Sequence, residues 1–150
     1  MSRYLAGLAL IAFIAPTVLA ADPTPDELKQ RLLGKWALPG KTNEVWEFHA
    51  DGTITGTKLD NVPTFRAKGT GEVGYFLTYT VGKLDGDVLD LVLKVRSVAP
   101  DRTETVGVFQ AKVEFTRKGR ITVTYAATPT TGMPTPFPAG KKLYRPEDLK

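Results

Sequence analysis

From residue 73 to residue 125, apolar side chains return on every second position. Val73, Tyr75, Leu77, Tyr79 and Val81 share one parity, as do Leu89, Leu91, Leu93 and Val95. Phe109, Ala111, Val113 and Phe115 continue the series, and Ile121, Val123 and Tyr125 close it. Upstream, Trp46, Phe48 and Ile54 fall on one parity of their own. The residues between are mostly Thr, Lys, Glu, Asp and Gln. Successive side chains of a strand point to opposite faces, so this rhythm predicts antiparallel strands with one buried face.

The turns test that pattern, because a slip of one residue sends a whole apolar set to the wrong face. Taken as a three-residue loop, Arg117-Lys118-Gly119 sets Phe115 opposite Ile121 and Val113 opposite Val123, with glycine at the left-handed position. A two-residue loop would set Phe115 against Thr122. Ala50-Asp51-Gly52 sets Phe48 opposite Ile54 in the same way. Pro100-Asp101-Arg102 sets Leu93 opposite Phe109 and, on the outer face, Asp90 opposite Lys112. Three turns thus agree on one buried face. They predict strands at 35–40, 43–49, 53–58, 72–81, 87–98, 103–116, 120–127 and 141–145.

The chain reads as all-β: an antiparallel up-and-down barrel, or a strongly coiled half-barrel, with a short N-terminal helix. That helix is expected over Thr24–Leu33, where Thr24-Pro25-Asp26-Glu27 is a start signal and Gly34 a stop. Leu28, Leu32 and Leu33 share its apolar face. Two long loops remain, Lys58–Gly71 and the proline-rich stretch Thr128–Gly140. Proline cannot join a central ladder, so the second is expected to cross or rim the sheet as a semi-rigid segment.

Residues 1–20 read as a secretory signal peptide: Arg3, an apolar run from Tyr4 to Ala15, then Val18-Leu19-Ala20 before the cleavage point. The run is shorter than the roughly 20 apolar residues that span a bilayer, and Pro16 interrupts it. No membrane span is therefore expected after cleavage. Residues 21–150 are left as one domain, placed in the periplasm or outside the cell. Lys and Arg total 20 against 16 Asp and Glu, and the surplus is scattered. Scattered charge on an exported chain speaks against nucleic acid as a partner. The absence of cysteine excludes disulfides, thiolate metal sites and a cysteine nucleophile, so the core must hold the fold.

Leu33-Gly34-Lys35-Trp36, Phe48-His49-Ala50-Asp51-Gly52-Thr53 and the terminal Leu143-Tyr144-Arg145 resemble the small bacterial secreted lipocalin-like domains. The resemblance implies that Trp36 closes the barrel floor and that Arg145, on the last strand, packs across its indole. It supplies a fold more readily than a function; the barrel and the want of a catalytic set lead to the expectation of a non-enzymatic binding protein, holding a small apolar ligand or presenting a surface to another envelope component. The chain is shorter than most lipocalins and lacks their disulfide and long final helix, which leaves the presence of a cavity open. Trp36, Trp46, Phe48, Tyr75, Tyr79, Phe109 and Tyr125 are the interior residues that would line one. The same aromatic load can instead simply fill the barrel, with the tyrosine hydroxyls reaching rim or backbone partners.

Catalytic chemistry finds little support. His49, beside Glu47 and Asp51, is expected to face solvent, and one histidine with exposed carboxylates makes a poor metal or acid–base site. Asp85-Gly86-Asp87 lacks the further oxygens of a calcium loop and reads as a hairpin connection. Ser97 has no activating partner in view. No catalytic residue, metal or cofactor is expected. The alternative to a ligand carrier is an interaction or inhibitor module for another envelope protein, with exposed Phe137 and Met133 of the 128–140 loop as anchors. Oligomeric state is not legible.

Overall fold

The computed structural model describes residues 23–56, 65–66, 73–116, 119–126, 133 and 135–149, the side chains of 42–44 excepted. The expected signal peptide, the Lys58–Gly71 loop apart from Phe65 and Arg66, and residues 128–132 lie outside the described residues. The chain begins with α1 (Pro25–Leu32). Eight strands follow: β1 (Gly34–Leu38), β2 (Lys41–Phe48), β3 (Thr53–Gly56) and β4 (Gly74–Asp85), then β5 (Val88–Val98), β6 (Glu104–Thr116), β7 (Arg120–Tyr125) and β8 (Lys142–Tyr144). A short 3₁₀ turn, Pro146–Leu149, ends it.

Each strand pairs antiparallel with its sequence neighbour, and Ala37 of β1 pairs with Tyr144 of β8. The barrel is therefore closed. All three turns adopt the register that keeps the apolar set together. Phe115 lies opposite Ile121 and Val113 opposite Val123. Phe48 lies opposite Ile54, and Leu93 opposite Phe109. On the outer face Asp90 pairs with Lys112, their charged atoms 3.7 Å apart. Gly52 and Gly119 hold the left-handed positions, whereas the third turn puts Arg102 there at φ 69°.

β4 departs from the simple alternation. Val81 pairs with Leu91, but the next pair is Leu84 with Leu89, so Gly82 and Lys83 together oppose Asp90. This bulge reverses the parity of the strand and brings Leu84 onto the core. The strand starts at Gly74, whose φ of 137° leaves Val73 outside the ladder and 38 % exposed, against its expected inward place.

In a sequential meander the connections alternate between two ends. α1 and the β2–β3, β4–β5 and β6–β7 turns share one end. The β1–β2, β3–β4 and β5–β6 connections share the other with the proline-rich loop that joins β7 to β8. Thr24 caps α1 in a reciprocal box with Glu27, and Leu28 and Leu32 are fully buried. The helix stops one residue earlier than expected. Leu33 is its cap, and Gly34 is already the first residue of β1. Between the two ends one contiguous apolar cluster runs from Leu28 and Leu32 through the strands to Phe137.

Candidate functional site

The helix end is closed by a tryptophan and an arginine. The Trp36 indole N–H donates to the Leu32 carbonyl at 2.7 Å, which ties β1 back to the last turn of α1. The Arg145 guanidinium carbon lies 3.9 Å from the centre of the Trp36 ring. The same guanidinium donates to the carbonyls of Arg31 at 2.6 Å and Leu33 at 2.8 Å. These carbonyls lie at the end of α1, where a cation is favoured and acceptors lack helical partners. The structure thus brings together Trp36 and Arg145, from opposite ends of the chain.

The chain's own proline-rich loop enters from the other end and reaches deep into the barrel, to Trp46 and Phe48, which lie opposite Trp36 and Gly34 of β1. Phe137 is fully buried. Its ring stacks on Phe48 at 5.5 Å and packs against Trp46 at 5.4 Å, while Phe48 meets the edge of Tyr79 at 5.3 Å. The backbone around Phe137 is held by two side chains of the barrel wall. The Trp46 indole donates to the Pro136 carbonyl at 3.0 Å. The Tyr125 hydroxyl accepts from the Phe137 N–H at 2.9 Å and donates to the Phe137 carbonyl at 3.2 Å. Both capacities of that hydroxyl are used. Burial pushes its pKa far above the ordinary tyrosine range, so it remains protonated and able to donate.

Phe137 is therefore not the exposed anchor expected from the sequence, and Met133, half-buried against the core, is not one either. The reason is the composition of the loop. Proline carries no N–H, so Pro136 and Pro138 bring no donors that would go unpaired inside an apolar mouth. A large aromatic between them is more stable in the barrel than in water, by roughly 1.5–3 kcal/mol for full burial. The signal was present in the lone phenylalanine of a proline-rich run, but no periodicity pointed inward.

Of the interior candidates, Trp36, Trp46, Phe48, Tyr79 and Phe109 are buried in the core. Tyr75 and Tyr125 are only half-buried and pack at its margin, Tyr125 against the edge of Phe109 at 6.0 Å. Tyr79 donates to the His49 carbonyl at 2.8 Å, and burial raises its pKa. His49 is half-buried, not open to solvent, because its Nε2 lies 2.9 Å from the Thr55 hydroxyl across the hairpin. Among the described residues no three His, Cys, Asp or Glu side chains gather as metal ligands. No helix among them is long and apolar enough to cross a membrane.

The interior is thus a packed aromatic cluster that includes a side chain of the proline-rich loop. The fold that carries it is a closed, eight-stranded up-and-down barrel of lipocalin-like architecture. Comparison with family models, with curated proteins and with solved structures returned no match.

Proposed function

We propose that this protein is an exported, non-enzymatic binding protein that holds a small apolar ligand in the loop end of its barrel. Phe137 occupies the ligand's place when the ligand is absent. The observation that carries this reading is the seating of Phe137. It is buried against Trp46 and Phe48, yet it belongs to a loop and not to the strand ladder. Its exchange for a ligand therefore costs two side-chain anchors and one aromatic contact set, and no ladder hydrogen bond. The ligand would regain the contacts with Phe48 and Trp46. Its polar atom would take the Tyr125 hydroxyl or Trp46 indole released by the loop, the few convergent polar groups that orient ligands in apolar pockets.

The leader-like residues 1–20 support export, and the Gly34-x-Trp36 and Arg145 pattern supports a lipocalin-like relationship. The direct experiment is native mass spectrometry of the protein purified from the cell that exports it. A retained small molecule, lost on unfolding, is the expected result. A bare chain in every preparation, unchanged after incubation with apolar extracts of the same cell, would contradict the reading.

A further inference from the structure

The outer face of β4 and β5 carries a second concave feature, separated from the barrel mouth by the sheet. Phe76 stands on the outward parity of β4, yet it is only 8 % exposed. Arg96, its partner in register on β5, covers the ring, with the guanidinium carbon 4.7 Å from the centroid. Arg66 reaches the same place from the segment preceding β4. Its backbone N–H donates to the Tyr75 carbonyl at 2.9 Å, and its side chain rests on Gly74. A Cβ at residue 74 would come within 3.2 Å of the Arg66 Cδ, and the φ of 137° disfavours any side chain there. Glycine is needed at this point both by the backbone and by the arginine lying over it.

Together with Thr53, Thr78 and Lys94 these residues line a partly enclosed cavity of about 270 Å³. Three cations therefore converge on it. Two carboxylates adjoin them: Glu104 pairs with Arg96 at 2.9 Å, and Asp51 takes the Thr53 hydroxyl at 2.6 Å. Among the described residues neither Arg66 nor Lys94 meets a carboxylate, so the described lining carries a positive balance.

We propose that this cavity binds a small organic phosphate monoester. Guanidinium groups match phosphate oxygens as planar forks, and lysine adds a point charge. Arg96 is already held on Phe76 and Arg66 on Gly74, so little side-chain freedom is lost when an anion arrives. The Glu104 pair is half-exposed, and Arg96 exchanges that partner for a phosphate oxygen without uncovering a buried charge. Exposed Thr78 lines the same cavity, and its hydroxyl would serve an ester or hydroxyl oxygen. The organic body lies against the aliphatic stems and the edge of Phe76, and the volume limits it to roughly one ring. The phosphate can belong to a free ester or to a lipid headgroup.

Phenyl phosphate, inorganic phosphate and phosphatidic acid vesicles separate these sources when each is titrated into the intact protein and followed by amide NMR. Phenyl phosphate is expected to shift Thr78, Lys94 and Arg96 saturably, more tightly than inorganic phosphate. Arg66→Gln and Lys94→Gln are each expected to weaken it by about tenfold, the loss of one charge-assisted contact. Phe137→Ala should leave that affinity unchanged, which keeps this site distinct from the barrel mouth. Lys94 is exposed, so its variant isolates binding from folding. Equal binding by the Arg66→Gln, Lys94→Gln double variant would overturn the proposal. So would equal affinity for phenyl phosphate and inorganic phosphate, or binding of vesicles without binding of phenyl phosphate.

Discussion

At Gly34 two demands meet on one residue. Its φ is +95°, and a Cβ there would lie 2.9 Å from the Arg145 Nη1. Glycine turns the chain from α1 into β1 and leaves room for the guanidinium that caps the helix and covers Trp36. Removing the Trp36 side chain opens a cavity that the wall refills only in part, so Trp36→Ala should cost about 3–5 kcal/mol. Trp36→Phe should cost much less. Arg145→Ala should cost less than Trp36→Ala and be non-additive with it in urea denaturation, because the two share one contact. The aspartates of the turns supply a pH dependence. Asp51 accepts from the Thr53 hydroxyl and N–H, and Asp101 accepts from the Thr103 N–H. These bonds hold both carboxylates below their ordinary pKa. A depressed folded pKa means stability that is present above about pH 4 and lost as pH falls through the folded values. Asp51→Asn and Asp101→Asn keep an acceptor oxygen but cannot titrate. The double variant should therefore lose less melting temperature than the parent between pH 6 and pH 3.

At the scale of elements, the hairpins were legible and the loops were not, for physical reasons. A strand with one wet face must alternate, and a turn of fixed length must preserve that alternation, so Phe48–Ile54, Leu93–Phe109 and Phe115–Ile121 could be paired from residues alone. Leu84 was missed because the Gly82–Lys83 bulge resets the parity, and nothing local announces a bulge between two turn signals. Phe76 was missed because its cover, Arg96, comes from another strand. Phe137 was read as exposed because a proline-rich stretch has no period to show which side faces in. The Trp36–Arg145 contact was visible only through resemblance, since no local pattern joins residues so distant in sequence. The anchoring of the proline-rich loop has its own consequence. The Phe137 amide is bonded to a tyrosine hydroxyl and not to a strand, so it should exchange with solvent through a local opening. Native-state hydrogen exchange should give it a lower opening free energy than the amides of the β5–β6 ladder. Exchange only with global unfolding would show the loop to be part of the barrel's cooperative core.

Across the whole molecule, a closed wall of strands is capped by two different devices. The helix end is tied by the Trp36 indole, the Arg145 guanidinium and the buried leucines of α1, all contributing to one cooperative core. The loop is held by Phe137, by polar side chains that grip backbone, and by the Gly140 N–H bonded to the Val123 carbonyl at 2.9 Å. Phe137→Ala should accordingly leave a folded barrel, at a cost of about 3–5 kcal/mol, with a wider mouth. Trp36 and Trp46 face each other across β1 and β2, but their indole N–H groups report different contacts: Trp36 is bonded to Leu32, and Trp46 to Pro136. The decisive measurement is the NMR shift of both indole N–H signals in the unmodified protein as toluene is added. If the loop-held site binds, the Trp46 signal moves saturably as the Pro136 bond is released, and the Trp36 signal, still bonded to Leu32, moves less. If the Trp46 signal does not move, Phe137 is permanent filling and its place is not a binding site.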